Sequence, residues 1–187
     1  HSSEVIKTVV RAIKQFNLPN VVVDPVMVAT SGDKLLQDEA ISTLINELLP
    51  ISTVITPNLS EAEIILNRKV DTEKQFEQAA KDLAKTGAKA ILLKSGHFKG
   101  EKLTDILYIP ETDEMIKMPA KRVYTDNTHG TGCTLSSAVA AHLALGKSLK
   151  EAIKQGLEYI HQTIEEGAHY EIGHGHGPVH HFYKFWN

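Results

Sequence analysis

The chain has 187 residues, a net charge of −3 with both signs mixed along it, and one cysteine. That length suits one α/β domain with a sizeable core, and the charge leaves no basic footprint for nucleic acid. No apolar run approaches the ~18 residues of a membrane span, and no signal-peptide pattern is present. A lone cysteine excludes an internal disulfide and suits a reducing cytoplasm. The chain opens His1-Ser2-Ser3 without an initiator methionine, from which a fragment or a processed product is expected.

Ser2 or Ser3 is placed to cap a first helix whose apolar stripe is Val5, Ile6, Val9, Val10, Ile13 and Phe16, ended by Asn17 and Pro19. Asn20-Val21-Val22-Val23-Asp24 reads as a strand buried on both faces, because its β-branched residues run without alternation. A polar loop from Ala29 to Asp33 follows, then a helix with Ile41, Leu44, Ile45, Leu48 and Leu49 inward and Pro50 as its stop. Val54-Ile55-Thr56 is a second buried strand, ended by Pro57-Asn58 and followed by a short helix from Glu61 to Leu66. Thr72 and Gln75 have capping-box spacing for a helix that ends at Gly87, and Ala90-Ile91-Leu92-Leu93-Lys94 is the third buried strand.

This rhythm argues for parallel βαβ units with right-handed crossovers. Then the pattern changes. Segments 105–109 and 115–118 flank Pro110-Glu111-Thr112-Asp113-Glu114, an antiparallel hairpin at a sheet edge. Asp126-Asn127-Thr128-His129-Gly130-Thr131-Gly132-Cys133-Thr134 leads into a helix of small residues, and Ser148-x-x-Glu151 caps a last helix with Ala152, Ile153, Leu157, Ile160 and Ile164 inward. No repeat, linker or second domain is evident, so residues 1–187 read as one domain.

Asp24, Asn58, Glu61 and Lys94 follow the three parallel strands, and in an open parallel sheet ligands bind off the carboxyl ends of the strands. A helix start presents unpaired N–H groups and partial positive charge, and Gly130 and Gly132 let an anion approach that backbone. The same field favours a thiolate, so Cys133 is a candidate base. Each feature also has a plainer reading. Asp24-Pro25 is a strand exit, Asn58 and Glu61 a helix cap, Lys94 a snorkelling side chain and Cys133 a small core residue. The histidines at 174, 176, 180 and 181 have glycine spacing that imposes no ligand geometry and no acid or cysteine beside them.

Asn-Thr-His-Gly-Thr-Gly-Cys-Thr-Leu-Ser resembles the anion-hole turn of the hydroxymethylpyrimidine kinase / phosphomethylpyrimidine kinase family of thiamin biosynthesis, in the ribokinase-like superfamily. Asp24-Pro25-Val26-Met27, Thr56-Pro57-Asn58-x-x-Glu61 and Lys94-Ser95-Gly96 match further family segments, and Gly177-Pro178-Val179 with a His-Phe pair matches its C-terminal region, although His180 stands where asparagine is expected. The resemblance implies a ribokinase-like three-layer αβα fold with a mainly parallel sheet whose N-terminal strands, with their glycine turn, are missing from this chain. It implies ATP and Mg2+ as cofactors and phosphorylation of 4-amino-5-hydroxymethyl-2-methylpyrimidine and its monophosphate. Asp24, Asn58 and Glu61 would attend the Mg2+, partly through water. Lys94, Gly96, Gly130, Thr131 and Gly132 would meet ATP, and Val26, Gly130 and Cys133 the pyrimidine. Catalysis would fall to Cys133, Lys94, Gly130 and Gly132. A cytoplasmic homodimer acting on a small molecule, without nucleic acid or membrane, is implied as well. Two alternatives stand beside this: a pyridoxine/pyridoxal kinase built on the same cysteine turn, and a non-catalytic nucleotide-binding fragment.

Overall fold

The computed structural model describes residues 2–28, 35–96 and 102–186. The loop expected over Ala29–Asp33 lies outside the described residues. The chain divides into two compact units, one from His1–Lys99 with Leu103–Pro119 and one from Gly100–Lys102 with Ala120–Asn187.

In the first unit, helix α1 (Ser3–Gln15) has Ser2 as its N-cap, without a side-chain cap bond. It buries Ile6 and Val10, with Ile13 packed beside them. Val5, Val9 and Phe16 of the expected stripe are exposed, because residues 3, 6, 10 and 13 share the face turned to the core. Strand β1 (Val22–Val23) leads through Asp24 to a fully buried Met27. Helix α2 (Asp38–Thr43) continues into a wider turn at Leu44–Leu48 and a tighter one at Leu49–Ile51, so Pro50 lies inside the terminal turn.

Strand β2 (Val54–Ile55) is followed by α3 (Leu59–Leu66), α4 (Glu73–Leu83) and β3 (Ile91–Leu93). The Thr72–Gln75 capping box is formed, as its spacing predicts. β1, β2 and β3 pair in parallel, with Val22 opposite Val54 and Ile55 opposite Ile91. β4 (Lys102–Ile109) then pairs antiparallel with β3, placing Leu92 opposite Leu107. β5 (Glu114–Lys121) completes the order β1-β2-β3-β4-β5, the edge hairpin expected from its turn residues. Asp113, left-handed at φ 48, turns this hairpin and accepts hydrogen bonds from Tyr108 Oη at 2.9 Å and Lys81 Nζ at 3.0 Å. The sheet is mixed and its interior strands are apolar on both faces: Val54, Ile55 and Ile91 to Leu93 are all fully buried.

In the second unit, α5 (Thr131–Ala144) and α6 (Leu149–Gly167) form an antiparallel pair. Leu135, Val139 and Leu143 face Ala152, Ile153 and Ile160, all buried. Burying a leucine or isoleucine of this kind contributes about 1.5–3 kcal/mol. The helices approach closely at Gly156, where an added Cβ would lie 2.8 Å from Val139 Cγ2. Ser148 caps α6 by accepting from Glu151 N–H. Among the described residues no helix is long and apolar enough to cross a membrane.

Candidate active site

In the first unit the chemistry gathers where three neighbouring parallel strands end. Thr56 N–H donates to Val23 C=O at 3.0 Å, and Lys94 N–H to Pro57 C=O at 2.9 Å. This staggered backbone sets Asp24, Thr56 and Lys94 side by side. One carboxylate oxygen, Asp24 Oδ1, accepts from Thr56 Oγ1 at 2.9 Å and from Lys94 Nζ at 3.0 Å. Both ends of the ion pair are mostly shielded from water. Removing one partner of such a pair leaves the other charge buried, which costs several kcal/mol. The resemblance implies Asp24 beside a metal and Lys94 beside the ATP phosphates; in the structure the two side chains neutralise each other.

Asn58 and Glu61 form a complete capping box on α3: Asn58 Oδ1 accepts from Glu61 N–H at 3.0 Å, and Glu61 Oε2 from Asn58 N–H at 2.8 Å. The cap anticipated as the plain reading of this motif is therefore present. Glu61 is only 3% exposed, and burial pushes its carboxyl from 4.5 up to about 7. The Lys94 charge and the Asn58 N–H pull it down without offsetting burial, and the Asp24 charge adds to the rise. One strand further along, Ser95 N–H and Oγ both donate to Asp105 Oδ1, at 2.7 and 2.9 Å, and burial raises the Asp105 carboxyl. The sequence marks Thr56 and Asp105 only as strand residues, with no role of their own at the site. Thr56 could have been found by its place at a strand end, but Asp105 sits within an apolar strand pattern and gives no local signal. Gly96 follows Ser95, and Val26 is half-exposed just after Asp24.

In the second unit, Gly130 is the N-cap of α5 and needs the left-handed backbone at φ 85 that glycine adopts without strain. The intrahelical ladder begins with Thr134 N–H donating to Gly130 C=O at 2.9 Å. The N–H groups of Gly132 and Cys133 therefore precede that ladder, as first-turn donors do. Thr131 is tied by its hydroxyl to Thr128 C=O at 2.6 Å, and Cys133 is exposed. Gly130, Cys133, Thr134, His142, Tyr159 and His181 line a cavity of about 590 Å3. His142 lies further along α5 itself, and Tyr159 and His181 reach the cavity through the α5–α6 packing and the returning tail; of the three, the sequence marks only His181, within the histidine-rich tail and its His-Phe pair. Among the described residues no three His, Cys, Asp or Glu side chains gather as a metal cage.

Residues 1–180 match the family described as phosphomethylpyrimidine kinase. The chain belongs to this family. Its members are kinases of thiamin biosynthesis, phosphotransferases with an alcohol acceptor. The chain is 45% identical over 184 residues to the hydroxymethylpyrimidine/phosphomethylpyrimidine kinase of Rhizobium meliloti (strain 1021), covering 98% of this chain and 68% of that one. The solved phosphomethylpyrimidine kinase of Clostridium difficile 630 superposes with a TM-score of 0.73 at 37% identity, covering 87% of this chain and 65% of its own. The pyridoxal kinase of Staphylococcus aureus in complex with AMP-PCP and pyridoxal superposes at 0.88 with 29% identity, covering 98% and 65%. This chain thus spans about two thirds of the length of these family relatives. The α/β fold of the family is the one expected from the strand–helix rhythm.

Proposed function

We propose that this chain transfers the γ-phosphoryl group of ATP to the hydroxymethyl oxygen of 4-amino-5-hydroxymethyl-2-methylpyrimidine, and then a second phosphoryl to the monophosphate. The observation that supports it most is the glycine-capped start of α5, with the Gly132 and Cys133 N–H groups ahead of the helical ladder and Cys133 exposed, in a chain 45% identical to a kinase of that name. Both units serve one kinase domain in this reading. Cys133 as thiolate takes the hydroxyl proton while the oxygen bonds to phosphorus and the bond from the γ-phosphorus to the ADP oxygen breaks. The Gly132 and Cys133 N–H groups bind the equatorial oxygens, with Gly130 and Thr131 shaping that turn. Lys94 leaves Asp24 and binds phosphate oxygens together with the backbone at Gly96. Val26 supports the pyrimidine.

Asp24 with Asn58 and Glu61 is a sparse donor set, in which one carboxylate oxygen is already shared and the Asn/Glu pair is committed to a cap. That fits Mg2+, which keeps several waters and takes few protein ligands. Mg2+ bound there would neutralise phosphate charge. ATP use is supported by the AMP-PCP complex of the staphylococcal relative. A cytoplasmic homodimer, acting on a small molecule without nucleic acid, completes the reading on the strength of the family resemblance.

The fit of the pyridoxal kinase backbone, at a TM-score of 0.88, favours pyridoxal as the second candidate acceptor. Phosphorylation assays with MgATP and each vitamin decide between them. Turnover on the pyrimidine alone supports the first reading, turnover on pyridoxal alone replaces it, and nucleotide binding without turnover on either leaves the non-catalytic fragment.

A further inference from the structure

The turn that opens α5 is held from outside by the returning tail. His129 pairs with it on both sides: His129 N–H donates to Gly177 C=O at 3.0 Å, and Val179 N–H to His129 C=O at 3.4 Å. Asn127 Nδ2 donates both of its hydrogens at the end of α6, to Gly167 C=O at 2.8 Å and Tyr170 C=O at 2.7 Å. Gly177 packs so closely on that amide that an added Cβ would stand 1.9 Å from Asn127 Oδ1. The third anchor is a side-chain pair, Thr134 Oγ1 with His181 Nε2 at 2.8 Å.

That pair is unusual for a helix. Hydroxyls inside helices ordinarily bond back to the carbonyl three or four residues earlier. Thr8, Thr43, Ser136 and Thr163 all do so here. Thr134 instead reaches out of α5 to the tail, and at 7% exposure its hydroxyl needs that partner. His181 is itself fixed, since its carbonyl accepts from Tyr159 Oη at 2.9 Å and the preceding His180 N–H donates to Thr163 C=O at 2.9 Å.

We propose that His181 is a positioning residue for phosphoryl transfer, holding the first turn of α5 through Thr134 so that the Gly132 and Cys133 N–H groups stay where the transferred phosphoryl is bound. This rests on the kinase reading above. It follows from the adjacency in sequence of Thr134 to Cys133: a fixed Thr134 fixes the donors just before it. A misplacement of about 1 Å in such a site costs roughly 10²-fold in rate, so one distant anchor matters.

The test is a double-mutant cycle of Thr134→Val and His181→Ala with His181→Gln beside it, in this chain. Each single variant should lower kcat about tenfold, the double no further, and KM for the vitamin should stay within about twofold. His181→Gln, whose side-chain amide can either donate to or accept from the Thr134 hydroxyl, should keep most of the activity. Amide hydrogen exchange, without substrate, should quicken across residues 128–136 by the same factor in both singles and the double. Additive losses, unchanged kcat or unchanged exchange would overturn the proposal. Should the parent turn over neither vitamin, the kinase reading fails, and the exchange arm still decides whether His181 holds the turn. If His181→Ala does not fold, Thr134→Val cuts the same contact from the helix side.

Discussion

At the scale of single residues, two side chains carry separable consequences. Cys133 is the one thiol of the chain and stands exposed in the first turn of α5. A general base acts mainly in the transition state and is worth ~10²–10⁴ in rate. Cys133→Ala should therefore lower kcat by about that factor while ATP affinity, read by titration calorimetry, stays nearly unchanged. Glu61 makes a prediction about pH instead. Below pH 4.5 its carboxyl is protonated in the folded and the unfolded chain alike. Between 4.5 and about 7 the unfolded chain gives up the proton first, so the folded state loses stability as pH rises, and the penalty is complete above about 7. Its size is on the order of 3 kcal/mol. Glu61→Gln keeps an oxygen for the Asn58 N–H and does not titrate. Melting curves of variant and parent should converge below pH 4.5 and separate, with the variant more stable, above about 7.

At the scale of elements, the α5–α6 contact depends on Gly156. Alanine there would favour the helix by about 1 kcal/mol, but its Cβ would fall 2.8 Å from Val139 Cγ2, on a β-branched side chain stiff at χ1. Overpacking of this sort costs about 1–3 kcal/mol, so the contact should outweigh the propensity. Urea denaturation of Gly156→Ala should show a net loss of about 1 kcal/mol, and Val139→Ala in the same chain should recover part of it. A gain in stability for Gly156→Ala would mean that α6 can shift without cost.

At the scale of the whole molecule, substrate choice and assembly are the open consequences. The family relative at 45% identity carries the pyrimidine name, whereas the staphylococcal pyridoxal kinase fits the backbone more closely than the solved phosphomethylpyrimidine kinase, at a TM-score of 0.88 against 0.73. A site built to hydrogen-bond one ring's polar groups rejects an analogue lacking them strongly. With MgATP, kcat/KM for hydroxymethylpyrimidine should exceed that for pyridoxal by at least about tenfold; a reversed ratio would move the chain to the pyridoxal branch. The homodimer proposed above should give twice the chain mass in light scattering at micromolar concentration, and a monomer mass would remove it.

Local pattern alone was enough for much of this protein. Unbroken β-branched and leucine runs dictated three parallel strands, of which β2 and β3 are buried throughout while Val22 of β1 stays partly exposed; Thr72 and Gln75 wrote a capping box, and Pro110–Glu114 wrote the hairpin, because each of these depends on neighbours within a few residues. The glycine turn before α5 was legible for the same reason: φ 85 at Gly130 is a demand that only its own position makes. The sharing of Asp24 Oδ1 by Thr56 and Lys94 was decided by strand register, and the rise of Glu61 to about 7 by how deeply folding buries it. The exposure of Val5 and Val9 depended on which face of α1 meets the core. His181 on Thr134 lies 47 residues away along the chain, and no local periodicity encodes a contact that exists only once the tail returns across α6.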